Sequence, residues 1–288
     1  MTEQAETATD DSGCGAGLIG RVPSDLINTD RYPIAAPGDA PLEHERRARA
    51  DLVDRGVAIL PGFLCADAVS EMTAECDALA GLGHHSVVLG TPYLGLPDES
   101  FPAGHPRRAE VRSSLEAVAY DLLPPTSSLR ALYEWEPMLE LVSRLLDRAP
   151  LHRYADPLGA LNVAVMRDGD ELGWHFDQTD FVVSIALQSS EAGGDFESAC
   201  RIRSGDDERY EAVDPVLGGD PAALDAAGVV SVPMTPGTLM LFEGRHSMHR
   251  VTPIVGDRSR YVALLAYDTG PDTDSSELLK LVRYGRLP

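Results

Sequence analysis

From residue 151 onward the chain changes texture. Short runs that alternate apolar and polar positions or are rich in β-branched and apolar residues recur at residues 161–166, 172–177, 181–187, 195–199, 229–232, 238–242 and 260–267. Turn-forming groups separate them: Asp168-Gly169-Asp170, Gly193-Gly194, Thr235-Pro236-Gly237 and Gly256-Asp257. Short, evenly spaced strands punctuated this way predict an all-β barrel or sandwich. Residues 201–228 break the rhythm with acidic positions and a short helix at 221–227, an insertion expected over the barrel mouth. The first half is helical in pattern. Asp39 is placed to cap a helix that Gly56 stops, and a buried strand follows at Val57–Leu60. Residues 67–79 put Val69, Met72, Cys76 and Leu79 on one helical face. Residues 82–105, rich in Gly and Pro, read as a long loop of the kind that forms lids. Helices are expected near 107–122 and 137–148, with Pro137 in an allowed first-turn place. The expected organisation is a disordered tail over 1–20 and one domain over 21–288. Within it, 21–150 give helical support and the lid, 151–270 the β core, and 271–288 a C-terminal tail.

Composition narrows the partners. The 288 residues carry 46 acidic against 24 basic side chains, a net charge of −22. That charge repels phosphate backbones and anionic lipid, so neither nucleic acid nor a membrane surface is an expected partner. Lys280 stands alone against 23 arginines scattered along the chain, a skew attributed to genome composition. The cysteines Cys14, Cys65, Cys76 and Cys200 fall at no metal spacing and are too few for a disulfide scaffold. With no apolar leader and no apolar stretch of membrane-spanning length, a reducing cytoplasm is expected. Nothing in the sequence sets an oligomeric state.

Candidate chemistry sits at Trp174-His175-Phe176-Asp177. Residues i and i+2 of a strand share a face, so His175 and Asp177 project together into the barrel while Phe176 points away. An imidazole and a carboxylate so placed, closed by a distant histidine, form the facial triad that binds non-haem Fe(II) and leaves one side open for a co-substrate and O2. His246 and His249 compete for the third place. His249 opens an alternating segment, whereas His246 follows Gly244-Arg245 in a turn-like stretch, so His249 is preferred. A His-x-Asp pair alone is common by chance; its strand context and the segment beyond His249 give it weight. That segment turns at Gly256-Asp257 and enters a strand in which Arg260 shares parity with Val262, Leu264 and Ala266. An inward arginine there suits a bidentate pair with a dicarboxylate such as 2-oxoglutarate. Arg258, nearer the turn, is expected in solvent.

Taken together, these segments resemble the Fe(II)/2-oxoglutarate-dependent oxygenases, in particular bacterial phytanoyl-CoA-dioxygenase-like enzymes and hydroxylases of amino acids and natural-product intermediates. The resemblance spans roughly residues 55–270. It rests on Leu60-Pro61-Gly62-Phe63-Leu64, Arg153-Tyr154-Ala155-Asp156-Pro157-Leu158, Gly173 to Asp177, Gly193 to Glu197, Pro236 to Leu239 and His249 to Pro253. It implies a mainly β fold with flanking helices, built on a double-stranded β-helix, the cupin-like jelly-roll. It also implies His175, Asp177 and His249 as iron ligands and 2-oxoglutarate and O2 as co-substrates. Phytanoyl-CoA-like members place the 2-oxoglutarate arginine where Arg260 stands, prolyl-hydroxylase-like members where Arg258 stands. Related halogenases carry a small residue in place of the carboxylate; retention of Asp177 speaks against halogenation.

The expected activity is therefore hydroxylation of an unactivated C–H bond in a small molecule, an amino acid or an amino-acid-derived intermediate. Desaturation, cyclisation, epoxidation and protein hydroxylation share the same cofactor chemistry. A non-catalytic jelly-roll binding protein is the alternative outside enzymology. Other residues have two readings each. Asn162 and Gln188 are read either as co-substrate contacts or as satisfied polar groups of the barrel. Trp174, Gln178, Thr179, Tyr93, Phe101, Arg201 and Arg203 are substrate candidates whose competing role is packing or surface charge. His84, His85 and His105 are expected to be solvated loop residues.

Overall fold

A computed structural model describes residues 22–36 and 38–288; the tail expected over 1–20 lies outside them. The chain runs α1 (Glu43–Arg55), β1 (Val57–Leu60), α2 (Ala66–Leu79), β2 (His84–Gly90), β3 (Val111–Val118), α3 (Ser128–Glu134) and α4 (Glu136–Leu146). It continues with β4 (His152–Arg153), β5 (Leu161–Met166), β6 (Leu172–His175), β7 (Val182–Gln188), β8 (Phe196–Ala199), α5 (Tyr210–Gly218) and α6 (Pro221–Ala226). The last elements are β9 (Val229–Val232), β10 (Leu239–Phe242), β11 (Met248–Val251), β12 (Arg260–Leu265), β13 (Tyr267–Asp268) and α7 (Glu277–Tyr284).

Eight strands make a jelly-roll of two antiparallel layers. One layer orders β5, β12, β7 and β10; the other orders β6, β11, β8 and β9. β1 extends the first layer at β10, and β2 with β3 extends it at β5. The apolar runs of the first layer have a direct structural meaning, because both faces of its strands are buried. Val163, Val165, Val183, Ile185, Leu241 and Ala263 face outward into a core shared with α2, α3 and α4. Their neighbours Ala164, Met166, Met240 and Phe242 face inward, meeting Phe196, Val232 and Val251 of the second layer. A third cluster covers the outside of the second layer, where Val213 and Val216 of α5 pack on Trp174, Phe176 and Met248. No helix among the described residues is long and apolar enough to cross a membrane.

Several expectations need correction. The helix expected over 107–122 is strand β3, flanked by short 3-10 turns. Its outward, helix-facing side carries Glu116, opposite Val165 of β5, a charge at a core position that hides the period of two. Glu116 is buried because its carboxylate accepts from the amides of Gly81 (2.7 Å) and Gly83 (2.9 Å) and pairs with Arg167 at 2.6 Å. The 82–105 loop begins with β2, paired to β3 along its whole length. His85 is consequently not a free loop residue: its Nε2 lies 2.9 Å from Asp170 Oδ1. The first helix starts at Glu43, after Asp39, where the buried Glu45 carboxylate accepts from the Leu42 amide at 2.8 Å. The 201–228 insertion holds two helices, of which α5 lies against the outer face of the second layer. Residues 271–288, expected as a tail, hold α7, whose Tyr284 reaches the inward core.

Candidate metal centre

His175 ends β6 and His249 lies on β11, directly paired across the two strands. Both face inward, because Trp174 and Met248 beside them face outward. Asp177 follows in the loop, held by its amide to the Gly244 carbonyl at 3.1 Å. One donor atom from each of the three comes within 4.8 Å of the others. Asp177 Oδ1 is 3.8 Å from His175 Nε2, and Oδ2 is 3.5 Å from His249 Nε2. Oδ2 is buried without a hydrogen-bond partner, and a buried carboxylate oxygen in that state is costly unless a cation completes it.

Both histidines are held in one orientation by backbone carbonyls. His175 Nδ1 lies 2.7 Å from the Gly173 oxygen, and His249 Nδ1 lies 3.0 Å from the Ser247 oxygen. A carbonyl only accepts, so each Nδ1 carries the proton and each Nε2 presents its lone pair to the cluster. Burial pulls His175 down to about 4; the neighbouring His249 adds to this, Asp177 and the Gly173 carbonyl oppose it, and Arg283 lowers it further. Its imidazole is therefore neutral near pH 7, the form that binds a metal. Phe196 and Phe242 flank His249, with ring centroids 5.5 and 4.7 Å away. They keep water from that side. Asp177 fits so closely that a Cβ on Gly244 would fall 1.7 Å from its Oδ2. The donor set, its lone-pair directions and its unpartnered oxygen fit a divalent cation of the first transition row.

Behind Phe196 lies a cavity of about 350 Å³, bounded by Ser190, Gly194, Met234, Thr235 and Arg260. Arg260 is 7% exposed, and its nearest polar contact is the Met166 sulfur at 3.7 Å. Burial pulls this guanidinium down to about 10, with Asp195 opposing. Gly194 lets the Arg260 stem pass, since a Cβ there would lie 2.9 Å from Arg260 Cδ. Arg258 is exposed and donates to the Ser190 carbonyl at 3.0 Å.

A second pocket, about 240 Å³, adjoins Asp177 on the lid side; its walls include Tyr93, Arg107, Gln178, Arg203 and Glu208. Tyr93 stacks on Phe176 at 5.5 Å, and Arg203 sits 3.9 Å over the Phe176 ring. Phe101 stacks on His105 at 4.3 Å and meets Tyr210 edge-on, so it closes the lid without lining the pocket. Arg107 and Arg203 both pair with Glu208, at 2.8 and 2.7 Å.

The remaining candidates lie elsewhere or are committed. Trp174 packs on the outer face beneath Arg250. Thr179 is exposed. Arg201 binds the Leu52 carbonyl and Glu243, away from the cluster. His246 stays in its turn and contributes no donor to the triad. Gln188 donates to the Ser259 carbonyl at 2.9 Å. Asn162, inward on β5, accepts from Arg283 at 3.3 Å. Arg283, Arg107 and Gly244 were not found from sequence. Lys280, Arg283 and Tyr284 at i, i+3 and i+4 of a helix were the one available signal for Arg283.

A family model described as Halogenase D matches residues 106–280. No curated protein matches the chain. Among solved structures, the non-heme alpha ketoglutarate dependent epimerase SnoN from nogalamycin biosynthesis superposes with a TM-score of 0.52 at 18% identity, over 77% of this chain and 80% of its own. The carbocyclase SnoK from the same biosynthesis gives 0.51 at 17% identity, over 80% and 87%. AviO1 from Streptomyces viridochromogenes Tue57 gives 0.50 at 18% identity, over 80% and 96%. At these identities the likeness is one of fold.

Proposed function

This chain belongs to the Halogenase D family, and from that premise we propose that it is an Fe(II)- and 2-oxoglutarate-dependent dioxygenase that hydroxylates an unactivated C–H bond of a small molecule. The substrate class favoured is an amino acid or an amino-acid-derived natural-product intermediate. The observation that carries the reading is the Asp177 carboxylate beside two Nε2 lone pairs, its Oδ2 buried and unpartnered. His175, Asp177 and His249 would hold the iron. The SnoN and SnoK structures, described as alpha ketoglutarate dependent, support that cofactor set on this fold.

The chemistry that Fe(II) supplies when bound is oxidation of 2-oxoglutarate to succinate and CO2, coupled to oxidation of a C–H bond by O2. The protein contributes position. Arg260, which lines the cavity behind Phe196, would hold the far carboxylate of 2-oxoglutarate through its guanidinium. The Gly173 and Ser247 carbonyls fix both imidazoles and raise their basicity as ligands. Phe196 and Phe242 keep the centre dry, and the Tyr93–Phe176 stack with the Glu208-bridged arginines closes the lid side. The family name raises halogenation as a second reading. Asp177 opposes it, because a carboxylate already fills the ligand place a halide would need.

The test is succinate release from Fe(II) and 2-oxoglutarate in the presence of a panel of free amino acids, with products weighed for one added oxygen. Stimulated release with an oxygenated product, abolished in His175→Ala, is the expected result. A chlorinated product in chloride buffer, or no stimulation by any member of the panel, would sink the hydroxylase reading.

A further inference from the structure

We infer that Arg283, carried by the C-terminal helix α7, anchors a carboxylate of the molecule to be oxidised. The inference rests on the oxygenase reading above and specifies its substrate as an organic anion. It begins with the distribution of charge. The chain holds 46 acidic and 24 basic residues, so an arginine has little difficulty finding a carboxylate. The lid arginines have done so: Arg107 and Arg203 share Glu208, and Arg245 pairs with Asp180. Among the described residues, the two arginines that enter the barrel have not. Arg260 meets a sulfur, and Arg283 meets the neutral amide oxygen of Asn162 at 3.3 Å. A guanidinium presents five N–H donors, and its two neutral partners, the Asn162 amide oxygen and the Tyr284 hydroxyl, supply no charge to it.

The strand register separates the two arginines. Arg260 pairs across β12 and β5 with Met166, while Asn162 pairs with Leu264, four residues along. At about 3.3 Å per residue the two positions stand roughly 13 Å apart. Arg260 serves the deep end of the interior and Arg283 the end where β5 begins. Arg283 is half-buried there, next to Tyr284, which packs into the inward core. One guanidinium is therefore in place for the co-substrate and a second, at the other end of the interior beside Asn162, for another anion. With Asn162 Oδ1 committed to Arg283, the Asn162 amide nitrogen is a further donor toward the same ligand. A substrate without the anionic group leaves the half-buried Arg283 without its charged partner, so the neutral analogue should bind less well.

The experiment uses the full chain loaded with Mn(II), which binds 2-oxoglutarate without turnover. Calorimetry of 2-oxoglutarate comes first. Arg260→Gln should weaken binding at least tenfold, and Arg283→Gln should leave it within about twofold; equal weakening by both overturns the inference. The second measurement is the melting-temperature shift of the Mn(II)- and 2-oxoglutarate-loaded protein with free L-amino acids and their α-amides. In the wild type the acids should stabilise and the amides should not. The stabilisation should vanish in Arg283→Gln and return in part in Arg283→Lys, which also controls for misfolding. Amides as effective as acids, an unchanged response in Arg283→Gln, or no response to any carboxylate each overturns it. The two readings fail differently. Succinate release stimulated equally by acid and amide removes the anchor and leaves the oxygenase standing. Absence of 2-oxoglutarate binding by the metal-loaded wild type removes both.

Discussion

Replacing Arg260 with methionine should have opposite effects on the empty and the loaded protein. In the empty protein Arg260 is 7% exposed, with no carboxylate in contact, and burial pulls it down to about 10. That displacement from the ordinary arginine value is worth about 3 kcal/mol against the charged form. Arginine does not shed its proton in practice, so the folded state bears this cost. Methionine keeps much of the stem's volume beside Met166 and removes the charge. The empty variant should therefore melt no lower than the wild type, and up to a few degrees higher, since about 1 kcal/mol moves a domain of this size by roughly 2–4 °C. The loaded protein should respond the other way. Truncating one side of a buried charge pair costs about 2–5 kcal/mol, a rise in the 2-oxoglutarate dissociation constant of roughly 30-fold to several thousand-fold. Thermal melts of the metal-loaded protein with and without 2-oxoglutarate give the first quantity, and anaerobic calorimetry gives the second. A variant that melts well below the wild type when empty yet binds 2-oxoglutarate normally would refute the reasoning, because Arg260 would then be a structural residue. A normal Arg260→Met with a defective Arg258→Ala would assign the anchor to Arg258 instead.

Gly244→Ala should lower iron affinity about 10- to 100-fold, the usual consequence of disturbing a ligand's support, because the new methyl falls on the Asp177 carboxylate; metal content after dialysis checks it, and full retention of iron contradicts the close approach. Asp177→Gly should lose hydroxylation and open a ligand place, read as product analysis in chloride buffer, with undiminished hydroxylation ruling Asp177 out as a ligand. Glu45→Gln should cost about 3–5 kcal/mol, since it leaves half of a buried ion pair: Glu45 meets Arg144 at 2.8 Å through both oxygens and accepts from the Leu42 amide. Burial works to raise the Glu45 carboxyl, but those partners hold it below the usual carboxylate value. Its stabilisation is thus complete above the ordinary pKa and fades as pH falls through the lowered one. Acid melts should accordingly show a shallower loss in Glu45→Gln than in the wild type, and parallel acid limbs would contradict the assignment.

The strand pattern by itself determined a β-rich core, the resemblance carried by its motifs made that core a jelly-roll, and the same segments singled out His175, Asp177 and His249, whose donor atoms the fold brings together. Strand signals are local: short apolar runs such as 161–166 and 239–242, bounded by turns, bury both faces of their strands, and the i, i+2 spacing sends His175 and Asp177 toward one side although β6 itself ends at His175. His249 was legible for the same reason, since it opens an alternating segment while His246 sits in a turn. Arg260 was legible by parity with Val262 and Leu264. What alternation conceals is any place where burial is made acceptable by a distant partner. Glu116 looks like a surface residue and made β3 read as a helix; two loop amides and Arg167 make it a core residue. Residues 84–90 lack an alternating pattern because β2 is an edge strand, and β3 alone shapes it. Arg283 lies 34 positions beyond His249, on a helix whose own pattern says nothing of where it docks. Only the packing of α7 against β2 and β3 brings its guanidinium to Asn162, because a charge's neighbours are set by tertiary geometry and not by its place along the chain.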